Sequence, residues 1–224
     1  MFIGHFAPAF LASALGPRAP KLATTFVAAQ LIDWGFFTFA LIGVEKMRIE
    51  PGATVMVPFD LYFYPYTHSL LAAGIWSIAF AVFVAVAGRN LLAGTLAGLV
   101  ALSHWGLDWV VHRPDLTLAG GEPFLGLGLW NQPIIAMPLE VGITLGAWLV
   151  YVRRTRGPVG PPAVLLLALI VFQGINWFGP EPIVANAFLY LQALLAFGVL
   201  TLMAAWVGEN RQFGRRGGLA APSA

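Results

Sequence analysis

One stretch of this chain concentrates the groups that could do chemistry. His104-Trp105-Gly106-Leu107-Asp108-Trp109-Val110-Val111-His112-Arg113 closes a run of mostly apolar residues and holds two of the four histidines. On a helix, residues four apart share a face, so His104, Asp108 and His112 form one stripe. Ionisable side chains inside an apolar helix are costly and are usually paired, bound to a metal or turned to water. His5, His68, Asp33 and Glu140 lie in or beside other apolar runs. Imidazole and carboxylate with no cysteine suit a divalent ion such as Zn2+, Mn2+ or Fe2+. They also suit a proton relay, and any one of them alone suits a hydrogen-bonded packing role.

Composition says what must position these groups. Of 224 residues, 59% are hydrophobic and 10% charged, against about 25% charged in a soluble domain. With a mean hydropathy of +0.80, the chain reads as an all-α, polytopic membrane protein. Net charge is +2, and no Lys/Arg-rich patch points to nucleic acid. The absence of cysteine excludes disulfides and thiolate chemistry. The first residues lack the positive start of a signal peptide and are read as mature protein.

A helix of about 20 apolar residues crosses a bilayer core. By that measure the spans are Leu22–Val44, Thr67–Gly88, Leu91–His112, Gln132–Val152, Ala163–Phe178 and Pro182–Val207. A short apolar helix, Met1–Leu15, precedes them as a re-entrant or tilted segment. Glu45–Tyr66 and Arg113–Asn131 read as loops, and the tail after Glu209 as loose. The organisation expected is a candidate metal-site domain over 1–152, a transmembrane hairpin over 153–208 and a tail over 209–224. Gly94-x-x-x-Gly98 and Gly142-x-x-x-Gly146 each read either as a close helix contact or as chance in a Gly-rich chain.

Lysine and arginine set the expected orientation. Arg18, Lys21, Arg89, Arg153, Arg154, Arg156, Arg211, Arg215 and Arg216 fall on one side; Lys46, Arg48 and Arg113 fall on the other. The positive-inside rule then puts the nine, with the C-terminus, in the cytoplasm, as in a bacterial inner membrane. His68, His104 and His112 all fall toward the outer leaflet, with His5 there too if the first helix enters from outside.

A family pattern runs through the same residues. Gly4-His5, Leu31-Ile32-Asp33, Tyr66-Thr67-His68-Ser69-Leu70 and His104-x-x-x-Asp108 resemble, in order, the membrane-bound metal-dependent hydrolases. The ligand pattern of that family is similar to that of zinc-dependent phospholipase C. The resemblance covers roughly residues 1–150. It implies metal ligands at His5, Asp33, His68, His104 and Asp108, a divalent cofactor (Zn or Mn), and a phosphoester or lipid-linked substrate near the outer leaflet. Asp108 or Glu140 would accept the proton, and His112 and Arg113 would lie in the second shell or against substrate. Where the family often has Pro-Asp-x-Asp, this chain has Leu31-Ile32-Asp33, and it has Tyr64-Pro65-Tyr66 where the family often has an arginine. Asp60, Arg48 or Arg113 are the candidates to substitute.

Single residues keep their alternatives. Glu140 is a general base, a second-shell partner or a structural hydrogen-bonder. Arg113 is a phosphate clamp or a rim arginine paired with Asp115. Two other functions are open to the same polar core: a proton-coupled permease, in which Asp33, Glu140 and the histidines form a relay, and a non-catalytic membrane scaffold.

Overall fold

A computed structural model describes residues 1–213. A 3-10 turn, Ile3–His5, leads into α1 (Phe6–Ser13). Next come α2 (Leu22–Ala29) and α3 (Leu31–Leu41), bent by 52° at their junction. A hairpin of β1 (Lys46–Ile49) and β2 (Phe59–Phe63) leads to the one-turn helix α4 (Pro65–His68). Then follow α5 (Leu70–Gly88) and α6 (Leu91–Val111). A second small hairpin, β3 (Leu116–Thr117) with β4 (Phe124–Leu125), precedes α7 (Pro133–Arg154), α8 (Gly160–Phe178) and α9 (Ala187–Asn210). Five helices, α5 to α9, are long and apolar enough to cross a membrane, and the bent α2–α3 pair brings the number to six when its two halves are taken as one span. The all-α polytopic reading therefore holds.

Several boundaries differ from those read in the sequence. Leu22–Val44 is not one rod: it breaks at Gln30, which has neither proline nor glycine beside it. The helix expected from Thr67 begins at Leu70, after Ser69, whose side chain caps it by accepting from the Ala72 N–H. The last helix starts at Ala187 rather than Pro182. The two expected loops carry the hairpins. The tail is not loose from Glu209: α9 continues to Asn210, and Arg211 is buried. Residues 214–224, with Arg215 and Arg216, lie outside the described residues.

The N-terminal helix occupies the centre. The 11 residues Ile3–Ser13 reach only about 17 Å, too short to cross. Phe6 and Phe10 are fully buried and pack on Phe26 of α2, and Phe10 also meets Tyr151 of α7. Leu165 and Leu169 of α8 and Leu200, Ala204 and Val207 of α9 complete the same cluster, so the C-terminal hairpin shares one core with α1 and α2. The two glycine pairs part company. A Cβ at Gly98 would lie 2.7 Å from the Ala81 Cβ of α5, whereas Gly142 and Gly146 have nothing within 4 Å. Only the first pair makes a close helix contact.

Basic residues gather at one end of the bundle. Arg18 offers its carbonyl to Asn90 in the α5–α6 turn, and Lys21, Thr155 and Arg211 line one cavity. The Arg211 guanidinium caps α7, donating to the carbonyls of Val152, Thr155, Gly157 and Pro158. The two hairpins, the C-terminal end of α6 and the N-terminal end of α5 lie at the opposite end.

Candidate metal centre

α6 is the most buried of the five long helices α5 to α9 and carries the stripe. His104, Asp108 and His112 are each buried to 3% exposure or less. Both oxygens of Asp108 are engaged. Oδ2 faces His104 Nε2 at 3.0 Å and His68 Nε2 at 3.7 Å. Oδ1 meets His5 Nε2 at 3.1 Å, the Met1 amino group at 2.9 Å and, more distantly, His112 Nε2 at 3.8 Å. Asp33, in the first turn of α3 beyond the break, turns Oδ1 toward His68 Nε2 at 3.4 Å and His104 Nε2 at 3.6 Å. The five residues expected as ligands thus converge from the N-terminal turn, α3, α4 and α6.

The far nitrogens decide what the near ones offer. His104 Nδ1 lies 2.8 Å from the Ala29 carbonyl oxygen. A carbonyl only accepts, so Nδ1 carries the hydrogen, and in the neutral ring Nε2 presents a lone pair. That Nε2 is buried without a hydrogen-bond partner. His68 follows the same logic through a relay. The Thr67 hydroxyl donates to Glu45 Oε2 at 2.6 Å and accepts from His68 Nδ1 at 2.8 Å. Glu45 Oε1 also accepts the N–H groups of Tyr66 and Thr67. Burial pushes the Glu45 carboxyl up, and hydrogen bonds from Thr67 pull against it.

With both rings neutral, two lone pairs face two carboxylates, acceptor to acceptor, in a buried space. Such an arrangement is stable only with a cation or added protons between them. The four separations between these imidazoles and carboxylates run from 3.0 to 3.7 Å. N and O ligands at about 2.0–2.2 Å from a small divalent ion stand roughly 3.3 Å apart in a tetrahedron. The residues present fit a metal ion, and the second-shell acceptors are of the kind that orient ligand histidines. His5 stacks on His104 at 3.8 Å, and no acceptor orients its Nδ1, which is buried without a partner. No family model, curated protein or solved structure matches this chain.

The remaining candidates take other places. Glu140 on α7 touches none of the ligand imidazoles; its Oε1 accepts the N–H groups of Phe2 and Gly4 at 2.5 and 3.1 Å. Gln173 of α8 donates to Glu140 Oε2 at 3.4 Å and accepts from the Ile3 N–H. These two side chains hold the segment that delivers His5. Asp60 does not replace the missing carboxylate: it pairs with Arg48 at 2.6 Å and with Arg113. Arg113 also lies 3.4 Å from Asp115, and it ties the β1–β2 hairpin to the loop after α6. The sequence pointed to neither Glu45 nor the Ala29 carbonyl, and it offered Asp115 only as a partner of Arg113, not of His112. For Glu45, adjacency of Thr67 to His68 was the available signal. For Ala29 there was none.

Neighbouring contacts give the Tyr66-Thr67-His68-Ser69 run its structural meaning. Trp105 of α6 donates to the His68 carbonyl at 2.9 Å, and Trp76 of α5 donates to the Tyr66 carbonyl at 3.0 Å. Thr67 orients His68, and Ser69 starts α5. A cavity of about 380 Å³ reaches His68 from the hairpin end, lined by Tyr64, Pro65, Arg113, Asp115 and Phe124 among others.

Proposed function

We propose that this chain is an integral-membrane, metal-dependent hydrolase of phosphoesters, with a lipid-linked substrate. The observation that carries the reading is the pair of oriented imidazoles, His68 and His104, whose Nε2 atoms face Asp33 and Asp108. Those four residues would hold the ion, with His5 beside them. An all N/O donor set suits Zn2+ or Mn2+. When bound, such an ion lowers the pKa of water and polarises a phosphoryl oxygen.

The chain's own residues supply access and order. The cavity beside His68 has aromatic and aliphatic walls and polar groups at Arg113, Asp60 and Asp115, as suits an amphiphilic ester. Glu140 and Gln173 act as positioning residues for the N-terminal turn. The ordered His5, Asp33, His68 and His104-x-x-x-Asp108 pattern, similar to that of membrane-bound metal-dependent hydrolases, supports the same reading. The basic end is assigned to the cytoplasm of a bacterial inner membrane together with the C-terminus, and the metal end to the outer leaflet.

The test is metal content of the purified full-length protein, followed by hydrolysis of bis-p-nitrophenyl phosphate and of phospholipid vesicles. The expected result is stoichiometric Zn or Mn, lost in His68→Ala and His104→Ala together with hydrolysis. A wild type that binds no divalent metal and shows no metal-dependent hydrolysis overturns the reading.

A further inference from the structure

The basic end of the bundle holds a buried charge without a counter-charge. Arg211 is 5% exposed. Its Nε, Nη1 and Nη2 groups all donate to neutral acceptors: the Thr155 hydroxyl and the carbonyls of Val152, Thr155, Gly157 and Pro158. Among the described residues no carboxylate pairs with it. These acceptors satisfy the N–H groups but leave the net charge, and buried charges in proteins are usually paired. An anion beside Arg211 would supply what the chain does not.

Space and donors for one lie next to it. A cavity of about 320 Å³ is lined by Arg211, Lys21, Leu22 and Tyr151 among others. Tyr151 is 3% exposed, and its ring packs on Phe10. Its hydroxyl has no hydrogen-bond partner among the described residues, although a buried phenol ordinarily finds one. That oxygen is not among the polar atoms sealed from solvent without a partner, so it is the part of Tyr151 that reaches the cavity. Leu22 opens α2, an eight-residue helix whose N-cap, Lys21, provides no side-chain cap. The Thr25 N–H bonds the Lys21 carbonyl at 3.2 Å. The N–H groups of the residues before it have no partner within the helix, and the positive end of the helix dipole lies there too. Lys21 itself is exposed.

We propose that this cavity is an anion site that takes one phosphate group, either of a lipid headgroup or of a free phosphate ion. The Tyr151 hydroxyl and the first N–H groups of α2 donate to its oxygens, Lys21 adds a charge at the mouth, and Arg211 adds a fixed buried charge without spending a donor. A phosphate suits this set because it brings negative charge and several acceptor oxygens at once. A neutral ligand would leave Arg211 uncompensated, and a cation would be repelled by both Lys21 and Arg211. The site lies at the end of the bundle opposite the metal centre and does not depend on the hydrolase reading.

The test is isothermal titration of the full-length protein in detergent with inorganic phosphate, and separately with dihexanoylphosphatidylglycerol and dihexanoylphosphatidylcholine. The expected result is saturable binding of one phosphate group per chain. Tyr151→Phe keeps the ring against Phe10, and Lys21→Gln changes an exposed side chain. Each should weaken binding about 10-fold. Arg154→Gln, exposed at the same end but outside the cavity lining, should bind as the wild type does. Saturation by inorganic phosphate assigns the free ion, and saturation by phosphatidylglycerol alone assigns the headgroup; either supports the proposal. Phosphatidylcholine, with no net charge, should bind more weakly, and equal binding of the two lipids overturns the charge argument. No saturable binding of phosphate or phosphatidylglycerol overturns the proposal. So does equal loss in Lys21→Gln and Arg154→Gln with none in Tyr151→Phe, the mark of a diffuse basic surface. Binding insensitive to all three variants but lost in His68→Ala places the phosphate at the metal end and overturns it as well.

Discussion

His104 Nδ1 donates to the carbonyl oxygen of Ala29, 2.8 Å away and 75 residues earlier in the chain. The contact depends on the break at Gln30, where the α2–α3 span bends by 52° and turns Asp33 toward the same imidazole. Gln30 is fully buried, and its amide reaches the Phe2 carbonyl at 3.3 Å. One interruption in a helix thus orients a histidine, delivers a carboxylate and ties down the N-terminal turn.

Thr67 is predicted to govern metal affinity without touching the ion. Thr67→Val removes the hydroxyl between Glu45 and His68 and frees the imidazole to change tautomer. Affinity should fall about 10–100-fold, measured by competition with a chelating dye. Tyr66→Phe, whose ring is exposed, should bind as the wild type does.

Glu45 should give stability a pH dependence of a definite sign. Burial raises its folded-state carboxyl above the ordinary glutamate range. Its contribution is then fully present below the unfolded value and is lost as pH rises through the folded one. Melting of Glu45→Gln in detergent, compared with wild type from pH 4 to 7, should shift progressively in the variant's favour as pH increases. A difference that is flat or moves the other way contradicts the burial argument.

Gly98 and Gly146 should respond differently to the same substitution. Gly98→Leu drives a side chain into Ala81 and the Ser77 carbonyl of α5, and overpacking of this kind costs about 1–3 kcal/mol. A Cβ at Gly146 meets nothing within 4 Å, and Gly146→Leu should leave thermal stability unchanged.

Arg211 should anchor the basic end. It is 5% exposed, and its guanidinium satisfies carbonyls at the end of α7 and in the turn after it. Arg211→Met keeps the apolar stem but leaves those acceptors unpaired, at a cost of about 2–3 kcal/mol, read as a lower melting temperature. Limited proteolysis should then cut first between α7 and α8.

Much of this architecture is written locally. A run of about 20 apolar residues must cross or bury itself, so the spans are legible in chain order. The four-residue spacing of His104, Asp108 and His112 puts them on one helical face whatever surrounds that helix. Arginine placement separates two ends in the same way. What the sequence alone could not determine is which groups from different helices meet. Asp33 rather than Asp60 faces the histidines, because the chain bends at a residue with no proline or glycine to announce it. Glu140, though deep in a span, spends its carboxylate on the backbone of residues 2 and 4. Asp115 read as a rim charge, yet it sets the orientation of His112. These outcomes follow from packing: a buried polar group must find a partner, and the partner is chosen by how the helices cross, which periodicity within one segment does not encode.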